Sequence, residues 1–141
     1  MTESKIRQIE VMEENMGVGI VSTKSGEFTF QSADEVIKFV RTTTQENKDM
    51  WISGEQPYPC IAVCINGEYA AVNYFQNETD RVWVSYNDKN EKEVTFDCFF
   101  TAGSEWKAAA DVILALNDAF SCIREFLDTY ERPTCIQWLE L

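Results

Sequence analysis

The run "CIAVCINGEYAAVNYF", residues 60–75, decides how this chain folds. Two extended, largely apolar stretches flank Asn66-Gly67, a strong hairpin signal because both central residues of a type I′ turn take positive φ. A two-residue loop places Ile65 opposite Glu68, Val63 opposite Ala70 and Ile61 opposite Val72 on one face. The other face pairs Cys64 with Tyr69, Ala62 with Ala71 and Cys60 with Asn73. A lone hairpin is marginal in water, so neighbours must cover its apolar side.

Working outward toward the C-terminus, "RVWVSYN" (81–87) and "EVTFDCFF" (93–100) alternate in the same way and are separated by the polar "DKNEK", which predicts that they continue a meander. In "DVILALNDAFSCIREFLDTY", residues 111–130, Leu116, Ala119, Ile123, Leu127 and Tyr130 form a helical stripe,. Glu131-Arg132-Pro133 breaks that helix, and "TCIQWLEL" returns as a terminal strand. Toward the N-terminus, Ser32 and Glu35 fit a capping box, and Ala33, Val36, Ile37 and Val40 make the apolar stripe of a helix over 33–45. Residues 18–31 alternate weakly around Ser25-Gly26 and read as a hairpin.

These elements predict an α+β fold in one domain over 1–141, an antiparallel meander of about four to six strands ending in a C-terminal strand. The two helices pack on the face holding Ile61, Val63, Val72, Val82 and Val84. At 141 residues the chain is long enough to bury a core by itself,. No apolar run approaches the roughly 18 residues of a membrane span, and the charged N-terminus has no apolar signal segment, so a cytoplasmic location without membrane contact is expected.

Function classes fall away by composition. The sequence has no histidine, only six glycines and no phosphate-binding or nucleophile-elbow motif, so no catalytic residue is assigned and the chain is not expected to be an enzyme. Five cysteines, Cys60, Cys64, Cys98, Cys122 and Cys135, are an odd set without CxxC spacing. They read as reduced core thiols, and neither a metal nor a cofactor is expected. A net charge of −12 repels phosphate backbones and anionic lipid, which excludes direct nucleic-acid binding,. The same field attracts a basic protein partner. Candidate partner-binding residues are loop acids and tryptophans: Glu78 and Asp80, Asp88 and Glu91, Glu105 with Trp106, and Glu55 with Trp51. Trp83 and Trp138 are expected on the sheet, and Trp51 and Trp106 in loops.

The hairpin and the chain ending also resemble a known family. Ala62, Val63, Asn66, Gly67, Ala70, Val72 and Tyr74 match a recurring A-V-x-x-N-G-x-x-A-x-V-x-Y pattern. Ala119, Glu125, Phe126, Leu127, Thr129, Arg132, Pro133, Cys135, Ile136 and Trp138 match the pattern of the ending. Both are similar to immunity protein family one, the antitoxin partners of bacterial polymorphic and contact-dependent toxin systems. The likeness covers 51–141 and departs at Tyr130, where the family often carries glycine. It implies a protein that binds a cognate toxin domain, often a nucleic-acid-modifying deaminase or nuclease, and blocks its active site. Such a toxin is basic around its cleft. The competing class is a small-molecule-binding or regulatory domain, with Tyr69, Phe75, Trp83 and Phe99 lining a pocket.

Overall fold

A computed structural model describes residues 18–42, 48–78 and 81–141. Strands β1 (Gly19–Thr23) and β2 (Gly26–Phe30) lead into helix α1 (Ala33–Thr42), followed by β3 (Lys48–Ser53), β4 (Cys60–Asn66), β5 (Tyr69–Phe75) and β6 (Val82–Tyr86). Next come β7 (Val94–Cys98), the single turn α2 (Phe99–Ala102), β8 (Ser104–Ala108), a 3-10 turn over Ala110–Val112, and β9 (Leu114–Ala115). Helix α3 (Leu116–Thr129) and β10 (Gln137–Glu140) complete the chain. The main antiparallel sheet runs β10-β6-β5-β4-β3-β1-β2 with β9 attached to β5, while β7 and β8 form a separate two-stranded ribbon. The fold is α+β, with more strands than the expected four to six.

Pleat alternation divides the sheet residues between two covers. Val21, Met50, Ile52, Ile61, Val63, Ile65, Val72, Tyr74 and Trp83 point to one side, where they pack with Val36, Ile37 and Val40 of α1 and Ala119, Ile123, Phe126 and Leu127 of α3. On the other side Cys64, Ala71 and Val84 meet Phe96, Cys98 and Ala108 of the ribbon, with Val112 and Ile113. Buried Ser85 links β5 to the 3-10 turn: its hydroxyl accepts from the Val72 amide at 3.1 Å and donates to the Val112 carbonyl at 2.7 Å.

Helix α1 starts where its sequence dictates. The Glu35 amide donates to Ser32 Oγ at 3.2 Å, and the Glu35 carboxylate accepts from the Gln31 amide at 3.0 Å, a capping box displaced by one residue,. The residues of the predicted helix beyond Thr42 fall outside the described residues. Helix α3 closes on Tyr130 in the left-handed region, at φ 52°, and its amide donates to the Phe126 carbonyl. Buried Pro133 then accepts the Trp138 indole N–H at 2.7 Å. Glu125 accepts from the amide and hydroxyl of Thr134, and the Arg132 guanidinium lies 4.8 Å over the Trp83 ring,. The matched residues of the ending therefore form a clasp that docks β10 on β6.

Three expectations are corrected. The central turn is Gly67-Glu68, not Asn66-Gly67: Asn66 pairs with Tyr69, Ile65 with Ala70 and Val63 with Val72. Gly67 alone takes positive φ, at 62°, the pattern of a turn with glycine at its first central position,. The shift moves each partner by two residues, so every side chain keeps its predicted face. Second, "EVTFDCFF" leaves the meander to fold over the opposite side of the sheet; Val84 faces it there, and Val82, paired with Phe75, turns to that side too, so neither lies on the helix-bearing face. Third, Trp51 and Trp106 lie within β3 and β8, not in loops.

Candidate partner-docking surface

The ribbon covers only part of its side of the sheet. The ribbon and α2 reach β3 near Asp49; at the other end of β3, Ser22, Trp51 and Ser53 are half-buried on that face. Met50 and Ile52 turn into the helix-side core, so Trp51 between them points to this side, beside Ala62 and Ser22 on the flanking strands. Its ring makes an edge contact with Phe75, at 5.1 Å between centroids, which holds the indole upright while leaving it half-buried,.

Around Trp51 the chain forms a hollow of about 370 Å³ whose lining includes Ile20, Glu27, Glu55, Pro57, Tyr58 and Cys60. Tyr58 is 37% exposed at its edge. The lining carries two carboxylates, Glu27 and Glu55, and no lysine or arginine among the described residues. Glu55 also lines a shallow groove running to Tyr130. Burial first, and then the charge of Glu55, raises the Tyr130 phenol above its ordinary pKa,. This corner combines an aromatic floor with a negative rim.

A larger cleft, about 590 Å³, opens at the opposite end of the sheet between the β1–β2 turn, Phe28, Phe39 and α2. Phe99, 59% exposed, and Phe100, 39% exposed, stand beside it. The Asp97 carboxylate accepts from the Phe99 amide, and Asp49 holds the backbone and hydroxyl of Thr101 at 2.6 and 2.8 Å. This cleft has mixed charge, with Lys24 and Lys48 beside Asp49 and Asp97.

The sequence-derived candidates do not form one surface. Trp51 and Glu55 meet in the hollow, and exposed Glu78 leaves β5 at the same end of the sheet, where Cys60 pairs with Phe75 and Phe75 with Val82. Asp80 lies outside the described residues. Asp88 and Glu91, both exposed, follow β6 at the far end. Glu105 is exposed on the ribbon, whereas Trp106 is half-buried with its ring 5.9 Å from that of Phe96. Sequence reasoning missed Glu27 and Tyr58. The alternation of "GEFTF", which puts Glu27 on the face opposite to Phe28, whose ring lies 5.0 Å from that of Phe39, was the available signal for the first. Of the four residues expected to line a small-molecule pocket, Trp83 belongs to the helix-side core, Phe75 lies against Trp51, Phe99 is on α2, and Tyr69 is exposed on β5 where it pairs with β9.

The chemistry of the remaining groups is quiet. Burial pushes the Cys60 thiol up to about 11, so it stays protonated at neutral pH,. Among the described residues no three His, Cys, Asp or Glu side chains cluster as metal ligands, and no helix is long and apolar enough to cross a membrane.

Comparison with known proteins gives one finding that fits this geometry. Residues 24–140 match the family model described as immunity protein Imm1, a span that runs from the β1–β2 turn through β10 and includes Glu27, Trp51, Glu55 and Tyr58 of the hollow. No curated protein matches the chain.

Proposed function

The chain belongs to the Imm1 immunity protein family, and from that premise we propose that it neutralises one cognate toxin, a nucleic-acid-targeting deaminase or nuclease, by occluding its active site. Its partner is a toxin domain, and the protein contributes binding and no chemistry of its own. The observation that carries the reading is the Trp51 hollow: aromatic side chains flanked by Glu27 and Glu55, on a chain with net charge −12. A toxin that grips nucleic acid is positive around its cleft, so the acidic rim steers the encounter and the bound protein excludes substrate. Trp51 and Tyr58 supply the desolvated anchors that set residence time. Glu78 and Asp80 extend the rim, while Asp88, Glu91 and Glu105, with Trp106 beside the last, add a longer-range field that salt screens.

The test uses the cognate toxin domain, sought among the neighbouring reading frames, and measures association and dissociation rates at two salt concentrations. Glu27→Lys combined with Glu55→Lys is expected to slow association about tenfold at low salt and to flatten its salt dependence. Trp51→Ala is expected to weaken binding about 30-fold or more, chiefly through faster dissociation. The exposure of Phe99 supports a second reading, docking at the larger cleft. Loss of binding in Phe99→Ala with Phe100→Ala, and none in Trp51→Ala, selects that cleft instead.

A further inference from the structure

Of the five cysteines, four are buried and only Cys135 is exposed. Its nearest thiol is Cys122, whose Sγ lies 3.6 Å away. Cys122 is on the inner face of α3, fixed by core packing at 0% exposure. Cys135 sits in the irregular segment between Pro133 and β10, where no helix or strand restrains it. A disulfide needs its sulfurs about 2 Å apart, so closure asks for a movement of roughly 1.5 Å by the less restrained partner.

We infer that Cys122 and Cys135 are an oxidative modification site, a thiol pair that a small-molecule disulfide converts to an intramolecular bond within the folded protein. Cys135, the accessible thiol, attacks one sulfur of the reagent as its thiolate and expels the first reagent thiolate, leaving a mixed disulfide on Cys135. Cys122 then gives up its proton and attacks the Cys135 sulfur, expelling the second. Two protein thiols become one disulfide, and one reagent disulfide becomes two thiols that carry the two protons away. The bond joins the helix to the segment that leads into β10. That strand is at an edge of the sheet, with Gln137, Leu139 and Glu140 exposed, so closure adds a covalent tie to a strand that is paired on one side alone.

A second close pair supplies the control. Cys64 and Cys98 approach to 2.8 Å between β4 and the end of β7, but they are 3% and 2% exposed beneath the ribbon. Proximity favours this pair; access favours Cys122–Cys135. Because attack must begin at a thiol the reagent can reach, access decides. Burial raises the pKa of both Cys122 and Cys135, so closure quickens as the pH rises,.

The experiment treats the native, reduced protein with oxidised glutathione, blocks remaining thiols by alkylation and maps linked peptides by mass spectrometry. The expected product is a Cys122–Cys135 link, reversed by dithiothreitol, with a melting temperature raised by about 5 °C or more. Cys135→Ser, an exposed change that leaves the core intact, is expected to keep its four remaining thiols reduced in the same treatment. A Cys64–Cys98 link in the native protein, a stable glutathione adduct at Cys135, or five unmodified thiols would each overturn the inference.

Discussion

The two faces of the main sheet are built differently. On the helix side, large aliphatic and aromatic side chains fill the space between sheet and helices, and Ile61, Val63, Ile123 and Phe126 are fully buried. On the ribbon side the buried contacts come mostly from cysteine, alanine and valine, with Phe96 and Ile113 as the large, fully buried groups. The first cover carries most of the apolar burial, which at about 1.5–3 kcal/mol for each large side chain dominates stability. The second is thin and incomplete, and what it leaves open is the ground on which Trp51 stands. Stability thus rests mainly on one side of the strands, and the surface proposed for recognition lies on the other.

Substitutions can break this contrast or sharpen it. Phe126→Ala, in the middle of the helix-side core against Tyr74 and Tyr130, is expected to cost about 3–5 kcal/mol in urea unfolding and to loosen the whole sheet. Phe96→Ala should cost about 3 kcal/mol, with hydrogen-exchange protection lost first over the ribbon strands and largely retained in β4. Equal loss of protection in β4 and the ribbon would erase the distinction between the faces. Ser85→Ala leaves the Val72 amide and the Val112 carbonyl without their shared partner; a loss of about 1–2 kcal/mol is expected. The smallest effect belongs to Asp34→Asn. Its 2.8 Å pair with Arg124 bridges α1 and α3, but the side chains are 80% and 55% exposed, so calorimetry should register less than about 1 kcal/mol. A larger loss there would mean that surface charge, and not the apolar stripe, fastens the helices.

Legibility in the sequence followed the range of the signal. The helix stripes and the alternation of 60–75 report which way each side chain faces, and a register error of two residues leaves that untouched. The alternation of "EVTFDCFF" announces a strand equally well whichever partner it joins, so its departure to the ribbon could not be read locally. Trp51 and Trp106 looked like loop residues because polar neighbours flank them, yet strands with one exposed face show the same flanks. Strand β3, "KDMWIS", was hidden for that reason. The hollow was half legible: Trp51 and Glu55 are close in sequence, whereas Glu27 arrives from another strand through the β1–β3 pairing. Phe99 and Phe100 gave a signal that went unread, since adjacent phenylalanines cannot both face a core from one strand.

Tyr130 occupies a left-handed position that a glycine would fill without strain,. It is held there by a 2.6 Å hydrogen bond from its hydroxyl to the Val18 carbonyl, and its ring rests so close to Gly54 that an added Cβ would come within 2.6 Å of Cε1. The two positions are therefore coupled in the order in which they can change. A side chain is accepted at 54 only after the ring at 130 has gone, while glycine at 130 removes that barrier but releases the tether to Val18. Across related chains this coupling should appear as mutual exclusion: bulk at one position or the other, and never at both.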